Sequence, residues 1–158
     1  MRFGLTYPMK SGILYGGKAG FKAMQYRLFD IRTIETPGEG YLSFFEGGTE
    51  LPFEIKRIYY IHGTSAGVMR GGHAHRRQLL FCPYGRIRIL LDDGREKAEV
   101  LLDSPDKGLL LDSGLWREML WEQSDSVLCV AASEHYDEAD YIRDYDQFLN
   151  WCKEAHKE

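Results

Sequence analysis

From Gln25 onward, apolar and polar residues alternate in short runs separated by turn residues, the period-two signature of half-buried β-strands. Tyr26 to Ile34 and Tyr41 to Phe45 flank a turn at Thr36-Pro37-Gly38-Glu39-Gly40. Phe53 to His62 alternates, with Phe53, Ile55, Arg57, Tyr59 and Ile61 on one side. Gln78 to Cys82 leads to a turn at Pro83-Tyr84-Gly85, and Arg86 to Leu91 runs into the hairpin signal Asp92-Asp93-Gly94. Glu96 to Leu102, Leu109 to Leu111, Glu118 to Trp121 and Val127 to Ala132 complete a set of about eight to ten strands. That spacing predicts an all-β sandwich or barrel. The pattern changes at Glu138. From there to Lys157, Tyr141, Tyr145, Phe148, Leu149 and Cys152 recur at helical spacing, predicting one or two short amphipathic helices packed outside the β-body.

The chain of 158 residues suits a single domain. We expect residues 24–158 to form it, with a helical tail from about 138. Residues 1–23 read as an N-terminal extension, glycine-rich and lacking the apolar stretch and small-residue cleavage site of a signal peptide. A net charge of −4 gives no general attraction to nucleic acid or anionic membranes, so any phosphate binding must come from locally placed arginines. No apolar run approaches the length of a bilayer span. Cys82, Cys129 and Cys152 are widely spaced with no C-x-x-C pair, and Cys82 and Cys129 sit inside apolar runs. They read as core residues of a protein kept in a reducing cytoplasm.

The candidate chemistry lies in Arg70-Gly71-Gly72-His73-Ala74-His75. Two histidines one residue apart on a strand share a face, which makes them half of a metal site or a proton-transfer device. Tyr59 and Arg57 share one side of their own strand. Arg76, Arg77, Arg86 and Arg88 are weaker candidates for phosphate binding and read as surface or edge charges.

The stretch from Gly67 through His73, His75 and Gln78 to Gly85 resembles the first motif of the cupins, small jelly-roll barrels of two antiparallel sheets. Metal-binding cupins carry a glutamate where Gln78 stands. Their second motif supplies a third histidine where this chain offers Trp116 and Arg117. Two imidazoles and a neutral amide make a poor divalent-metal site, so the resemblance favours acid–base work without a metal.

Further motifs sharpen it: Lys56-Arg57-Ile58-Tyr59-Tyr60-Ile61, Val100-Leu101-Leu102-Asp103-Ser104-Pro105, Trp116-Arg117-Glu118-Met119, and Ala132 to Tyr145. Together with the histidine motif they resemble the dTDP-4-keto-6-deoxyglucose 3,4-ketoisomerases, RmlC-like cupins related to the nucleotide-sugar 3,5-epimerases. The resemblance implies an RmlC-like cupin jelly roll with short C-terminal helices. It implies metal-independent, cofactor-free isomerisation of a dTDP-linked 4-keto-6-deoxyhexose to the 3-keto sugar, and a homodimer. His73 would be the carbon base, His75 a second imidazole and Tyr59 a partner in oxygen proton transfer. Arg57 and Arg70 would hold the diphosphate, with Gln78, Trp116 and Glu39 lining the substrate site. Two departures stand out: the His75–Gln78 spacing is two residues short, and Glu39 replaces the arginine or tyrosine of relatives. An epimerase of related sugars and a non-catalytic sugar-binding cupin are the alternatives.

Overall fold

A computed structural model describes residues 24–155. The expected N-terminal extension therefore lies outside the described residues. Within them the chain runs β1 (Tyr26–Asp30), β2 (Arg32–Thr36), β3 (Gly40–Phe44), β4 (Arg57–Ile61), β5 (Met69–His75) and β6 (Gln78–Tyr84). There follow β7 (Ile87–Asp92), β8 (Lys97–Leu102), β9 (Lys107–Leu111), β10 (Leu115–Trp121) and β11 (Val127–Ala132). A single 3-10 turn at Glu138–Asp140 precedes helix α1 (Tyr145–Ala155).

Two antiparallel sheets face each other: a five-stranded one in the order β1-β9-β6-β11-β4 and a four-stranded one in the order β5-β10-β7-β8. This is the all-β, two-sheet architecture expected from the alternation. Leu80, Leu109, Leu111, Leu128 and Val130 from the first sheet meet Ile87, Ile89, Leu91, Met119 and Trp121 from the second in the main core. A second apolar layer covers the outer face of the five-stranded sheet, where Leu51 and Phe53 pack on Phe29, Leu79, Leu110 and Ala131. Strands β6 and β9 therefore bury both faces, which explains their continuous apolar runs. Helix α1 sets Phe148 and Cys152 against Ala74 and Trp116 on the outside of the four-stranded sheet.

Three expected elements differ. The run Tyr26 to Ile34 is two strands, because Ile31 turns inward with its amide on the Asp106 carbonyl while β2 leaves to pair with β3 in a separate, exposed hairpin. The strand expected from Phe53 begins only at Arg57, since Phe53 is spent on the outer apolar layer. The helical spacing read from Glu138 holds only from Tyr145; Tyr141 is extended and Ile142 forms a bridge with Ala74 on β5. No helix among the described residues is long and apolar enough to cross a membrane.

Candidate active site

Strand parity puts the chemically interesting residues at one end of the space between the sheets. On β4, Arg57, Tyr59 and Ile61 face inward while Ile58 and Tyr60 are exposed. Register carries that row across the sheet, since Arg57 pairs with Ala132, which pairs with Gln78 on β6. From the opposite sheet, His73 on β5 pairs with Arg117 on β10. His73, Gln78 and Arg117 are all buried, with Gln78 and Arg117 each only 1% exposed.

Arg117 joins the two sheets. Its Nη1 donates to Gln78 Oε1, while Nε and Nη2 donate to the Leu115 carbonyl at 3.2 and 3.1 Å. Gln78 Nε2 in turn donates to the Tyr59 hydroxyl at 3.3 Å. A guanidinium can only donate, so Arg117 fixes which way the Gln78 amide points. The Tyr59 oxygen is then an acceptor, and its own proton is directed away from Gln78. Burial, followed by the nearby Tyr141, raises the Tyr59 pKa above the ordinary 10.0, against the opposing pull of Arg117 and Gln78. Tyr59 is thus protonated at neutral pH and suited to give up a hydrogen bond or a proton.

Arg57 is flanked by the rings of Tyr59 and Tyr136, at 5.2 and 5.4 Å from their centroids, and its Nη2 donates to the Tyr141 hydroxyl at 2.7 Å. Its Nε is buried without a hydrogen-bond partner among the described residues, leaving a donor for which the chain itself supplies no acceptor there. The Tyr141 ring lies 5.2 Å from the His73 imidazole. Beyond it, Arg143 donates to both carboxylate oxygens of Glu138, and Tyr136 donates to one of them. The Arg143 and Tyr136 hydrogen bonds hold Glu138 down to about 2, with a smaller contribution from the charge of His73.

The remaining expected site residues divide. Arg70 is exposed at the end of β5 and pairs with Met119, an inward-facing residue of β10. It regains the face of His73 through a bulge at Arg117/Glu118, opposite Gly71 and Gly72 with φ of 90° and 74°. Without the extra residue, strand parity would send Arg70 to the other side. His75 pairs through its backbone with Leu115, and its side chain is outside the described part of the structure. Trp116 neighbours Arg117, so it turns to the other face of β10 and packs on Phe148 and Tyr145. Gln78 is hydrogen-bonded to both Arg117 and Tyr59. Glu39 is exposed at the tip of the β2–β3 hairpin, apart from this cluster within the chain.

Sequence reading missed the roles of Arg117 and Tyr141. Arg117 registered only as the absence of a ligand histidine, and Tyr141 as one more aromatic of a helical face. A guanidinium and an amide in the place of a cupin's acidic and imidazole ligands oppose cation binding, and the donor set around His73 does not fit a divalent metal.

Residues 24–153 match the family described as FdtA: WxcM-like, C-terminal. The TDP-4-oxo-6-deoxy-alpha-D-glucose-3,4-oxoisomerase of Aneurinibacillus thermoaerophilus is 44% identical over 137 residues, 85% of this chain and 98% of that protein. A 3,4-ketoisomerase from Helicobacter canadensis superposes with a TM-score of 0.79 at 39% identity, covering 82% of this chain and 98% of its own. QdtA, a sugar 3,4-ketoisomerase from Thermoanaerobacterium thermosaccharolyticum solved with TDP, gives 0.79 at 37% identity over 82% and 96%. The dTDP-4-dehydrorhamnose 3,5-epimerase of Bacillus anthracis, at 14% identity and a TM-score of 0.66, shares the fold alone. By extent of match and by identity over nearly the whole domain, this chain belongs to the WxcM-like FdtA family.

Proposed function

We propose that this chain is a sugar 3,4-ketoisomerase acting on a dTDP-linked 4-keto-6-deoxyhexose. The observation that carries the assignment is His73 and Tyr59 brought together from opposite sheets around the Arg117–Gln78 bridge. His73 removes the proton from sugar carbon 3, next to the carbonyl, leaving an enediolate. Tyr59 donates to the carbonyl oxygen on carbon 4 as negative charge grows there. Protonated His73, its N–H exchanging with solvent, then delivers a proton to carbon 4, and the hydroxyl on carbon 3 passes its proton to Tyr59, replacing the one Tyr59 gave to the carbon-4 oxygen, as the new carbonyl forms. Protons and electrons balance within the sugar, so no external oxidant is consumed. His75 is the second imidazole of the site. Arg57 and Arg70 bind the diphosphate, which a protein of net charge −4 attracts only through such local cations.

The protein acts as a homodimer in the cytoplasm. Its β2–β3 hairpin supports pairing of two copies, because it stands apart from both main sheets and exposes Ile34, Tyr41 and Leu42. Turnover in deuterated water, followed by NMR, tests the reaction. Wild-type protein should place deuterium at the former ketone carbon and yield the 3-keto sugar, and His73→Asn should do neither while binding dTDP within a few-fold. Label entering carbon 5 would indicate epimerisation. Unlabelled, unchanged sugar in the presence of wild-type protein would leave only a binding module.

A further inference from the structure

The segment between β11 and α1 holds a group that touches both Arg57 and His73. Tyr141 sits there in extended conformation, and its neighbour Ile142 pairs with Ala74 through Ala74 N–H to Ile142 O at 3.0 Å and Ile142 N–H to Ala74 O at 3.3 Å. Ala74 is the residue between the two histidines. The backbone of this strap is therefore registered directly on the histidine motif. We infer that Tyr141 is a positioning residue, whose hydroxyl orients Arg57 toward the substrate diphosphate and whose ring braces His73. This inference rests on the proposed function, from which it takes the roles of Arg57 and His73.

The two contacts are separable. The hydroxyl accepts from Arg57 Nη2 at 2.7 Å, and among the described residues it is the hydrogen-bond partner of that guanidinium. The ring meets the imidazole at 5.2 Å with planes inclined by 56°, and Arg143 lies over the ring at 4.7 Å. An arginine side chain has many rotamers, and one terminal hydrogen bond between flanking rings selects among them. Preorganised in this way, Arg57 meets a diphosphate with less ordering still to be done. A tyrosine retained only for packing would show no dependence on its hydroxyl.

Tyr141→Phe removes one atom and keeps the ring. It should weaken dTDP binding about tenfold by calorimetry, the scale of a hydrogen bond to a charged group, and raise KM in parallel. Its kcat should stay within about twofold, since the brace on His73 survives. Tyr141→Ala should add a fall in kcat of about tenfold or more. In an Arg57→Met background, changing Tyr141 to Phe should leave dTDP affinity where it is, because the hydroxyl then has nothing to orient. Wild-type affinity in Tyr141→Phe, or a full additive loss in the double variant, would overturn the inference. Should Tyr141→Ala fail to fold, the phenylalanine variant and the double variant decide alone. Binding of dTDP needs no turnover, so failure of the ketoisomerase assignment would show separately, as wild-type protein that binds but does not isomerise.

Discussion

Replacing Arg117 by methionine separates what the buried guanidinium does for folding from what it does for chemistry. Burial lowers its pKa well below the ordinary arginine value, to about 10. At about 1.4 kcal/mol per pH unit, the charged form opposes folding by roughly 3 kcal/mol at neutral pH. The sign follows from proton counts: from about pH 10 up to the ordinary arginine range the folded protein holds fewer protons than the unfolded chain, so stability rises with pH there. Below that window the penalty is present in full. Methionine fills similar space and abolishes the penalty, but it leaves Gln78 Oε1 and the Leu115 carbonyl without this donor. Each buried acceptor so stranded costs about 1–3 kcal/mol. A gain of roughly 3 kcal/mol set against losses of about 4 kcal/mol at the middle of that range leaves a net cost of about 1 kcal/mol. For a chain of this size that is a change in Tm of roughly 4 °C or less.

Catalysis should not be spared. With the amide free to turn, Tyr59 loses both its set hydrogen bond and a neighbouring positive charge, and kcat should fall about a hundredfold or more. Thermal melting by circular dichroism and turnover of the 4-keto sugar measure the two effects on one preparation. An Arg117→Met protein with wild-type kcat would refute the relay. One melting more than about 10 °C lower would show Arg117 to be scaffold first.

Other expectations follow from single contacts. Gly71→Ala forces a side chain onto φ +90° with its Cβ 2.8 Å from the Arg117 carbonyl and 2.9 Å from Met119 Sδ, and should cost about 2–4 kcal/mol in denaturant unfolding; unchanged stability would mean the bulge is not constrained. Trp116→Ala should lower stability by about 3–5 kcal/mol through its contacts with Phe148 and Tyr145, yet leave dTDP affinity within twofold; a large loss of affinity in folded protein would return Trp116 to the site. Burial pushes the Cys82 and Cys152 thiols up from 9.0 to about 11, so the stability this represents is present below pH 9 and is lost as the pH rises through about 11. Unfolding midpoints should fall across that window, more steeply than in a Cys82→Ala variant, and a flat profile would exclude the effect.

What was legible in the chain was local. Alternation located the strands because a half-buried strand writes its two faces into every second residue, as in Arg57, Tyr59 and Ile61. Strand β10 was read three residues short, since Leu115, Trp116 and Arg117 are all buried and show no alternation. The turn glycines and the apolar runs of β6 and β9 likewise announced themselves.

By itself the sequence determined the all-β class, the strand faces of Tyr59 and His73, and the family. Tertiary structure decided which of these residues meet. That Arg117 closes on Gln78 from the other sheet, that a glycine bulge returns Arg70 to the side of His73, and that Tyr141 reaches Arg57 across 84 positions of chain are facts of register and sheet packing. Such contacts are set by how strands pair at long range, and no window of neighbouring residues carries that information.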